Sequence, residues 1–438
     1  MTNIIIPKTI SIQEKMKIMQ ENAAFDIADG DGFALGNFGF DMPTNDLTAI
    51  GQSISNIKTK PLPPSAPKTF VSNDCSFNCK YCGCRHSVDK QRYVNNPDEI
   101  ADMALLAQQQ NNCGIFLTSA ICKNADYTEE LIIEAVKHLR VKRDYHGYIH
   151  AKIMPGADPL LIRELGFWAD RVSVNIEVPH SDGYKLFAKQ KNRSNILNPM
   201  KAVRDFQREL NPKYGTKARS DFGRTFAPAG QTTQVMAGSM GESDRTLAIL
   251  AQALYKQMDL KRVYYSPFHS PPKDEIFHGG MTPRWRGRRL YQADRLIALY
   301  GMTPDELLPE NEPFLEFDID PKVQYALRNR HLYPVEVNTA DYEMLLRVPG
   351  IGIYSAKKII KARKIRSMTP EILRYVNVSL KKSKFFITCD GKYYGSGMLD
   401  SLHLRKMLWS EEFVFMQGAE QMSMFNTHLL PIDYDVSV

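Results

Sequence analysis

Three cysteines, Cys75, Cys79 and Cys82, lie in one short loop just after the apolar pair Phe70-Val71. Three residues separate the first two cysteines, and two residues separate the second from the third. Thiolates at this spacing can hold three irons of a [4Fe–4S] cluster, and the fourth iron is then left without a protein ligand. Because an open iron can bind a substrate or a cofactor, the loop predicts chemistry as well as structure.

A structural zinc site is the alternative interpretation, with Cys84 as a fourth thiolate. Zinc sites usually take their ligands from two separated pairs of residues, and the sequence has no second pair of cysteines with two residues between them. The spacing therefore favours the iron–sulfur cluster, although it assigns no role to Cys84. The remaining cysteines are predicted to be small buried side chains: Cys113, Cys122 and Cys389.

The composition is that of a folded globular protein. Of the 438 residues, 43% are hydrophobic and 24% are charged, and the length suits one large domain with a smaller one. No run of about 18 apolar residues occurs and the start lacks a secretory signal, so we expect a cytoplasmic protein that binds no membrane. Seven cysteines, an odd number, favour a reducing compartment. The net charge of +7 is a weak indication of an anionic partner.

Strand and helix patterns alternate from the strand before the cysteines to about residue 301. Further β-rich runs lie at 114–118, 148–153, 172–176, 232–236 and 262–265, and helical patterns lie at 99–109, 129–139 and 243–258. Parallel strands need long connections, which a helix supplies. The alternation therefore predicts an α/β fold with six strand–helix units and a parallel sheet.

The cysteine spacing, Tyr81 directly before the third cysteine, and the strand that leads in together resemble the signature of the radical S-adenosylmethionine (SAM) superfamily. The resemblance implies a partial, TIM-like (β/α)6 barrel with its active site at the carboxyl ends of the strands. It also implies that the open iron binds SAM and that one electron from the cluster cleaves SAM to a 5′-deoxyadenosyl radical. A reductant such as flavodoxin or ferredoxin would supply that electron. Tyr81 is expected to pack near the adenine.

Polar residues at the predicted strand ends are the further candidates for binding SAM. Ser119 follows the second strand, where related enzymes bind the amino group of the cofactor, although an alanine comes next where glycine is more usual. Alternation along the fourth strand places Ser173, Asn175 and Glu177 on one face. Asn175 or Glu177 is a candidate for contact with the cofactor or the substrate, and Gln234 in the fifth strand is a weaker one. A packing or capping role is an equal alternative for each residue.

A second motif lies between residues 338 and 360 and resembles a helix-hairpin-helix. The pair at 338–339 is predicted to supply the cap of a first helix that ends near Arg347, and Pro349 follows it. Gly350 and Gly352 permit a tight hairpin before a second helix. In this motif the hairpin N–H groups and the start of the second helix bind a DNA phosphate without reading the base sequence.

Basic residues dominate the segment that follows the hairpin, with Glu371 as the sole acid between residues 351 and 384. Such a one-sided charge favours binding to a polyanion over a packing role alone. The arginine-rich run 284–289 is read equally as a phosphate contact or as a solvated helix start. The predicted nucleic-acid-binding residues are Gly350, Gly352, Lys357, Lys358 and Lys361.

The order of the two motifs, with 335–339 entering the hairpin and 385–389 after it, resembles the family of DNA modification or repair radical SAM proteins. That resemblance covers about residues 10 to 395 and implies a radical SAM enzyme acting on DNA, with a uracil-DNA-glycosylase-like protein as a partner. An RNA-modifying radical SAM enzyme and a non-catalytic DNA-binding protein with a structural cluster are the alternatives.

Five segments are predicted along the chain. A capping box at 11–14 indicates a short helix, and a glycine-rich run at 29–39 indicates a loop. An acidic stretch with several prolines at 304–320 marks the end of the barrel. The segments are an N-terminal extension and linker (1–66), the barrel (67–305), a connector (306–333), the helix-hairpin-helix module (334–395) and a tail (396–438).

Overall fold

The structure is a computed structural model that describes residues 14–15, 68–111, 114–210, 223–268, 282–395, 401–410 and 413. Several predicted features lie outside these residues, namely most of the N-terminal helix, the glycine-rich loop at 29–39, Cys113 and much of the tail. Glu14 and Lys15, the two described residues of the predicted N-terminal helix, are helical.

Six parallel strands form one sheet in the order in which they occur in the chain. They are β1 (Lys68–Phe70), β2 (Ile115–Thr118), β3 (Ile149–Lys152), β4 (Arg171–Ser173), β5 (Gly230–Ala237) and β6 (Arg262–Pro267). Because all six run in the same direction, their carboxyl ends lie at one edge of the sheet.

Helices connect the strands. They are α1 (Pro97–Asn111), α2 (Ala125–Lys137) with a π-helical turn (His138–Lys142), α3 (Pro159–Trp168), α4 (Ser181–Phe187), α5 (Arg193–Leu210) and α6 (Asp244–Met258). The predicted α/β fold is confirmed, with six parallel strands and connecting helices arranged as a partial TIM-like barrel. Three helices were not among the named helical patterns, namely α3 between β3 and β4, and α4 and α5 between β4 and β5.

The strands and helices follow from local sequence. Ile115, Phe116 and Leu117 of β2 have no exposed surface, as expected for a parallel strand that is covered on both faces. Asn124 begins α2, since its side chain accepts a hydrogen bond from the third residue of the helix. Asp158 caps α3 by accepting a hydrogen bond from the N–H of Leu160, the second residue of the helix, and Pro159 is the first.

The fourth strand is shorter than the sequence predicts. It ends at Ser173, and Glu177 has a φ of 64°, in the left-handed region, so strand alternation does not extend to Glu177. The Glu177 N–H donates to the carbonyl of Gln234 at 2.9 Å, and the Glu177 carbonyl accepts from the Met236 N–H at 2.7 Å. Backbone bonds to β5, and not alternation along β4, therefore position Glu177.

The chain after residue 282 is mostly helical, with one small sheet. Its helices are α7 (Arg284–Tyr300), α8 (Pro304–Leu307), α9 (Pro321–Arg328), α10 (Tyr342–Arg347), α11 (Ile353–Ala362), α12 (Pro370–Tyr375), α13 (Leu380–Ser383) and α14 (Ser401–Met407), with a 3-10 turn at Arg330–Leu332. The strand β8 (Ile387–Cys389) pairs in parallel with β7 (Val335–Glu336) and antiparallel with β9 (Lys392–Tyr393). Leu345, Ala356 and Ile359 have no exposed surface and belong to the hydrophobic core of this part of the chain.

The chain divides into two compact units. One comprises residues 1–242 and 253–282, and the other comprises residues 243–252 and 283–438. The predicted division into five segments stays a prediction. None of the helices within the described ranges is long and apolar enough to cross a membrane.

Candidate cofactor site and nucleic-acid interface

A single arginine holds the loop that carries the cysteines. The guanidinium of Arg92 donates to four carbonyl oxygens, at 2.7 Å to Asn73 and Arg85 and at 2.8 Å to Cys84 and Val88. The five donors of a guanidinium suit such a set of acceptors. Sequence reasoning missed Arg92, because no local pattern marks a residue whose partner lies as many as 19 positions away.

The cysteine loop is also bonded to segments that follow β2 and β4. The N–H and the hydroxyl of Ser76 donate to the carbonyl of Ile121 at 2.8 Å and 2.9 Å. The N–H of Lys80 donates to the carbonyl of Phe187, the last residue of α4, at 2.7 Å. These bonds hold the loop at the carboxyl edge of the sheet.

The thiols of the loop differ in environment. Cys75, Cys79 and Cys84 are buried, whereas Cys82 is half-buried. Backbone N–H groups donate to two sulfurs, Phe77 to Cys75 at 3.4 Å and Cys84 to Cys82 at 3.3 Å. Burial raises the pKa of Cys79 to about 11, whereas the hydrogen bond with the Cys84 side chain lowers the pKa of Cys82 to about 6. Cys82 is therefore the thiol that most readily becomes a thiolate, the form that binds metal.

The three thiols of the loop lie near one another. Cys75, Cys79 and Cys82 are near enough to influence one another electrostatically. Over the described ranges, however, no three His, Cys, Asp or Glu side chains converge on a position for one metal ion. Thiolates that bind a cluster attach to different irons, so they need not converge on one point, and N–H donors to the sulfurs are typical of such sites. The assignment of the cysteines to a cluster, and the zinc alternative with Cys84, stay predictions.

Lys191 is a largely buried cation beside this loop that the sequence did not indicate. Its ammonium lies 3.3 Å from Oε1 of Glu177 and 3.2 Å from the Tyr81 hydroxyl, and the Lys191 and Glu177 side chains are each 10% exposed. Burial acts to lower the pKa of Lys191, but Tyr81 and Glu177 outweigh it and hold the pKa above its usual value. The lysine also favours the thiolate form of Cys79. Lys191 thus adds a positive charge to the site.

The strand-end candidates occupy two places. The side-chain amide of Asn175 donates to that of Gln234 at 3.0 Å, both side chains are buried, and Glu177 is bonded through its backbone to Gln234. The Ser119 hydroxyl donates to the carbonyl of Ala120 at 2.7 Å, so it is engaged locally. The structure therefore brings Tyr81, Asn175, Glu177 and Gln234 into one connected group with Lys191, whereas Ser119 belongs to the end of β2. Their contact with a cofactor stays a prediction.

The two helices of the predicted hairpin are present as α10 and α11. The first helix ends at Arg347, as predicted. Its cap is Asp341, which accepts a hydrogen bond from the Met344 N–H at 2.6 Å, so the predicted cap at Asn338 or Thr339 is wrong. Asn338 instead accepts a hydrogen bond from the N–H of Met368 at 2.7 Å and so serves another part of the fold.

The turn between the helices requires glycine at Gly350. Its φ is 87°, and a Cβ on it would lie 2.6 Å from the carbonyl oxygen of Ser379. Gly352 caps α11 without a side chain. Its N–H donates to no protein acceptor among the residues that the structure describes. Donors of this kind at a helix start can bind a phosphate.

The basic residues after the hairpin divide into two groups. Lys357, Lys358 and Lys361 are exposed on α11, and no carboxylate of the described residues forms an ion pair with them. Lys382 and Arg363 instead stabilise the fold, through an ion pair at 2.6 Å and hydrogen bonds to two backbone carbonyls, respectively. Four further basic residues are exposed: Lys364, Arg366, Arg374 and Lys381.

The arginine-rich start of α7 is used for packing. Arg286 forms an ion pair of 2.7 Å with the buried Asp244. Arg289 is 2% exposed and donates to backbone carbonyls. The ring centroids of Trp285 and Phe317 lie 5.1 Å apart. These contacts favour a structural role over a phosphate contact for the three residues.

Comparison with known protein families identifies both motifs. Residues 69–214 match the Radical SAM superfamily, and residues 333–369 match the helix-hairpin-helix motif. The first matched region contains the three cysteines of the loop. It is a radical SAM domain. The Radical SAM superfamily implies a [4Fe–4S] cluster and SAM as cofactors. The helix-hairpin-helix motif is typical of proteins that bind nucleic acid.

Two solved structures are similar to part of the chain. One is HydG, a maturase of the [FeFe]-hydrogenase, with 13% identity and a TM-score of 0.40 over 66% of this chain and 62% of that chain. The other is the maturase HydG from Carboxydothermus hydrogenoformans, with 15% identity and a TM-score of 0.41 over 66% and 64%. The chain spans less than two thirds of the length of each. No curated protein matches its sequence.

Proposed function

We propose that the protein is a radical SAM enzyme that modifies or repairs DNA. The observation that carries the proposal is the presence, in one chain, of a radical SAM domain and a helix-hairpin-helix with exposed lysines. A cationic surface that contacts phosphates independently of base sequence suits a polymeric substrate.

The three cysteines of the loop, Cys75, Cys79 and Cys82, would hold the cluster. When bound, the cluster and SAM supply a 5′-deoxyadenosyl radical that takes a hydrogen atom from the substrate. Arg92 keeps the loop in shape through its four carbonyl contacts. Lys191 offsets part of the negative charge that three thiolates bring into a largely buried site.

The polar group around Lys191 is proposed to bind SAM. Polar side chains at the carboxyl edge of a barrel sheet are where ligands bind in such folds. Lys191 orients Tyr81 and Glu177 by contacting both at about hydrogen-bond distance. The further proposed cofactor-binding residues are Ser119, Asn175 and Gln234.

The hairpin module is proposed to bind the nucleic acid. Gly350 and Gly352 would place backbone N–H groups against a phosphate, and Lys357, Lys358 and Lys361 would neutralise its neighbours. A target base within a duplex would have to be extruded, which costs a few kcal/mol. A uracil-DNA-glycosylase-like protein and a reductant such as flavodoxin or ferredoxin are the proposed partners, on the basis of the family resemblance.

The proposal is tested by anaerobic reconstitution of the full chain, reduction with dithionite, and measurement of 5′-deoxyadenosine from SAM with and without duplex DNA. We expect product formation that increases when DNA is added. Product that increases with tRNA and not with DNA would favour the RNA-modifying alternative. No product from a chain fully loaded with iron would favour a structural cluster in a DNA-binding protein.

A pair of cysteine variants controls this experiment. Cys79→Ala removes a proposed cluster ligand, whereas Cys389→Ala removes a buried cysteine of the C-terminal sheet. We expect Cys79→Ala to lose the cluster and SAM cleavage, and Cys389→Ala to keep both. A Cys79→Ala protein that binds four irons and cleaves SAM would show the ligand assignment to be wrong.

A further inference from the structure

A buried lysine lies directly against the hairpin turn. Lys322, near the start of α9, is 9% exposed, and its ammonium donates a hydrogen bond of 2.5 Å to the carbonyl oxygen of Ile351. A buried ammonium is unfavourable unless nearby groups compensate for the loss of water. Lys322 lies outside the segment that matches the helix-hairpin-helix motif, which begins at residue 333.

The carbonyl of Ile351, which Lys322 contacts, belongs to the same peptide unit as the N–H of Gly352. In a planar trans peptide the carbonyl of Ile351 and the N–H of Gly352 point in opposite directions. A cation on the carbonyl side polarises the peptide, and the polarised N–H becomes a stronger donor to an anion. Within the described ranges the Gly352 N–H has no protein acceptor. A phosphate on this N–H and the ammonium of Lys322 would therefore stabilise each other.

The groups that face Lys322 do not fully compensate its charge. Asp320, at the start of α9, is the acid that acts on Lys322. The charge of Asp320 is shared, because Asp320 forms an ion pair of 2.6 Å with Lys382 of α13 and also interacts electrostatically with Arg289 of α7. The Tyr300 ring centroid, also from α7, lies 4.9 Å from the ammonium. Burial lowers the pKa of Lys322 to about 7, against the opposing effect of Asp320. Both the charged and the neutral form of this lysine are therefore populated near neutral pH.

We infer that Lys322 is a positioning residue for phosphate binding at the hairpin and that nucleic-acid binding is coupled to proton uptake at this lysine. The inference rests on the proposed nucleic-acid function. Without a phosphate, burial favours the neutral amine, and a phosphate anion at the hairpin favours the ammonium. Affinity for nucleic acid should therefore fall as the pH rises above neutrality.

The test compares the full chain with two variants, using a fluorescent duplex DNA at constant salt from about pH 6 to about pH 9. Lys322→Met removes the ammonium and keeps an unbranched apolar side chain of similar length. Lys137→Met is the control, because this lysine pairs with Glu164 and lies outside the hairpin module. Thermal unfolding confirms that each variant is folded.

We expect Lys322→Met to lower the affinity at about pH 6 on the order of tenfold, the value of one hydrogen bond from a charged donor. Its affinity should then be nearly constant with pH, whereas Lys137→Met should keep the pH dependence of the unmodified chain. Calorimetry in two buffers with different heats of protonation should detect proton uptake by the unmodified chain near neutral pH. Lys322→Met should show no such uptake.

Two outcomes would overturn the inference, and they differ from each other. A Lys322→Met protein with the affinity, pH dependence and proton uptake of the unmodified chain would contradict the role of Lys322 alone. Failure of the unmodified chain to bind either duplex DNA or tRNA at any pH would contradict the nucleic-acid proposal itself, and the inference with it.

Discussion

Replacement of Arg92 by lysine tests whether one guanidinium holds the cysteine loop. Arg92 donates to four carbonyl oxygens at 2.7–2.8 Å. An ammonium has three donors on one atom and lacks the width of the guanidinium fork, so it cannot reach all four acceptors. Each of the two terminal guanidinium nitrogens serves two carbonyls, so an ammonium in the place of one nitrogen loses the two hydrogen bonds of the other. Each lost hydrogen bond from a charged donor costs roughly 1.5–3 kcal/mol. Since water can reach the half-buried side chain, we expect the lower end, about 3 kcal/mol for the loop.

The effect should appear in the cluster and not in the global fold, because the contacts of Arg92 lie within one loop. We expect Arg92→Lys to retain less iron after anaerobic reconstitution and to lose its cluster to a chelator faster than the unmodified chain. The matched control is Arg143→Lys, since Arg143 pairs with Asp98 and Asp102 at the surface, where such pairs contribute about 0–1 kcal/mol. Equal iron content and equal chelator resistance in Arg92→Lys and the unmodified chain would refute the reasoning.

Two further predictions concern stability and nucleic-acid binding. Glu129 has no exposed surface, and burial raises its pKa to about 8, so the folded state keeps a proton that the unfolded chain releases at a pKa near 4.5. Stability should fall between these values by up to about 1.4 kcal/mol per pH unit. Glu129→Gln should remove that slope in thermal unfolding, and parallel curves for the two proteins would contradict the assignment. Lys357→Gln and Lys361→Gln should each reduce the slope of log affinity against log salt by about one for duplex DNA. Lys137→Gln removes a lysine that is paired with Glu164 and should leave the salt slope unchanged. An equal effect of all three substitutions would contradict DNA binding by the lysines of α11.

The sheet and the cysteine loop could be predicted because both leave periodic or spaced patterns in the sequence. Each predicted strand overlaps an observed one, since parallel strands are continuous apolar runs between helices. The error at the fourth strand has a physical cause. Glu177 adopts a left-handed backbone that alternation cannot anticipate, and hydrogen bonds to β5 determine its position.

The residues that sequence reasoning missed act through contacts between distant parts of the chain. Lys191 meets Tyr81 across 110 positions, and Lys322 meets Ile351 across 29. No periodicity or spacing relates such partners, so only the folded arrangement brings them together. The arginine-rich run before α7 illustrates the opposite case. Its composition suits phosphate binding, yet Arg286 and Arg289 are engaged by Asp244 and by backbone carbonyls.

We propose that the radical formed at the cysteine loop takes a hydrogen atom from a nucleic acid. The most direct measurement uses duplex DNA that carries deuterium at carbon positions that do not exchange with water. The 5′-deoxyadenosine formed from SAM by the reduced enzyme is then examined by mass spectrometry. We expect deuterium in this product with labelled DNA. Product that remains free of deuterium with labelled DNA, and likewise with labelled tRNA, would contradict it.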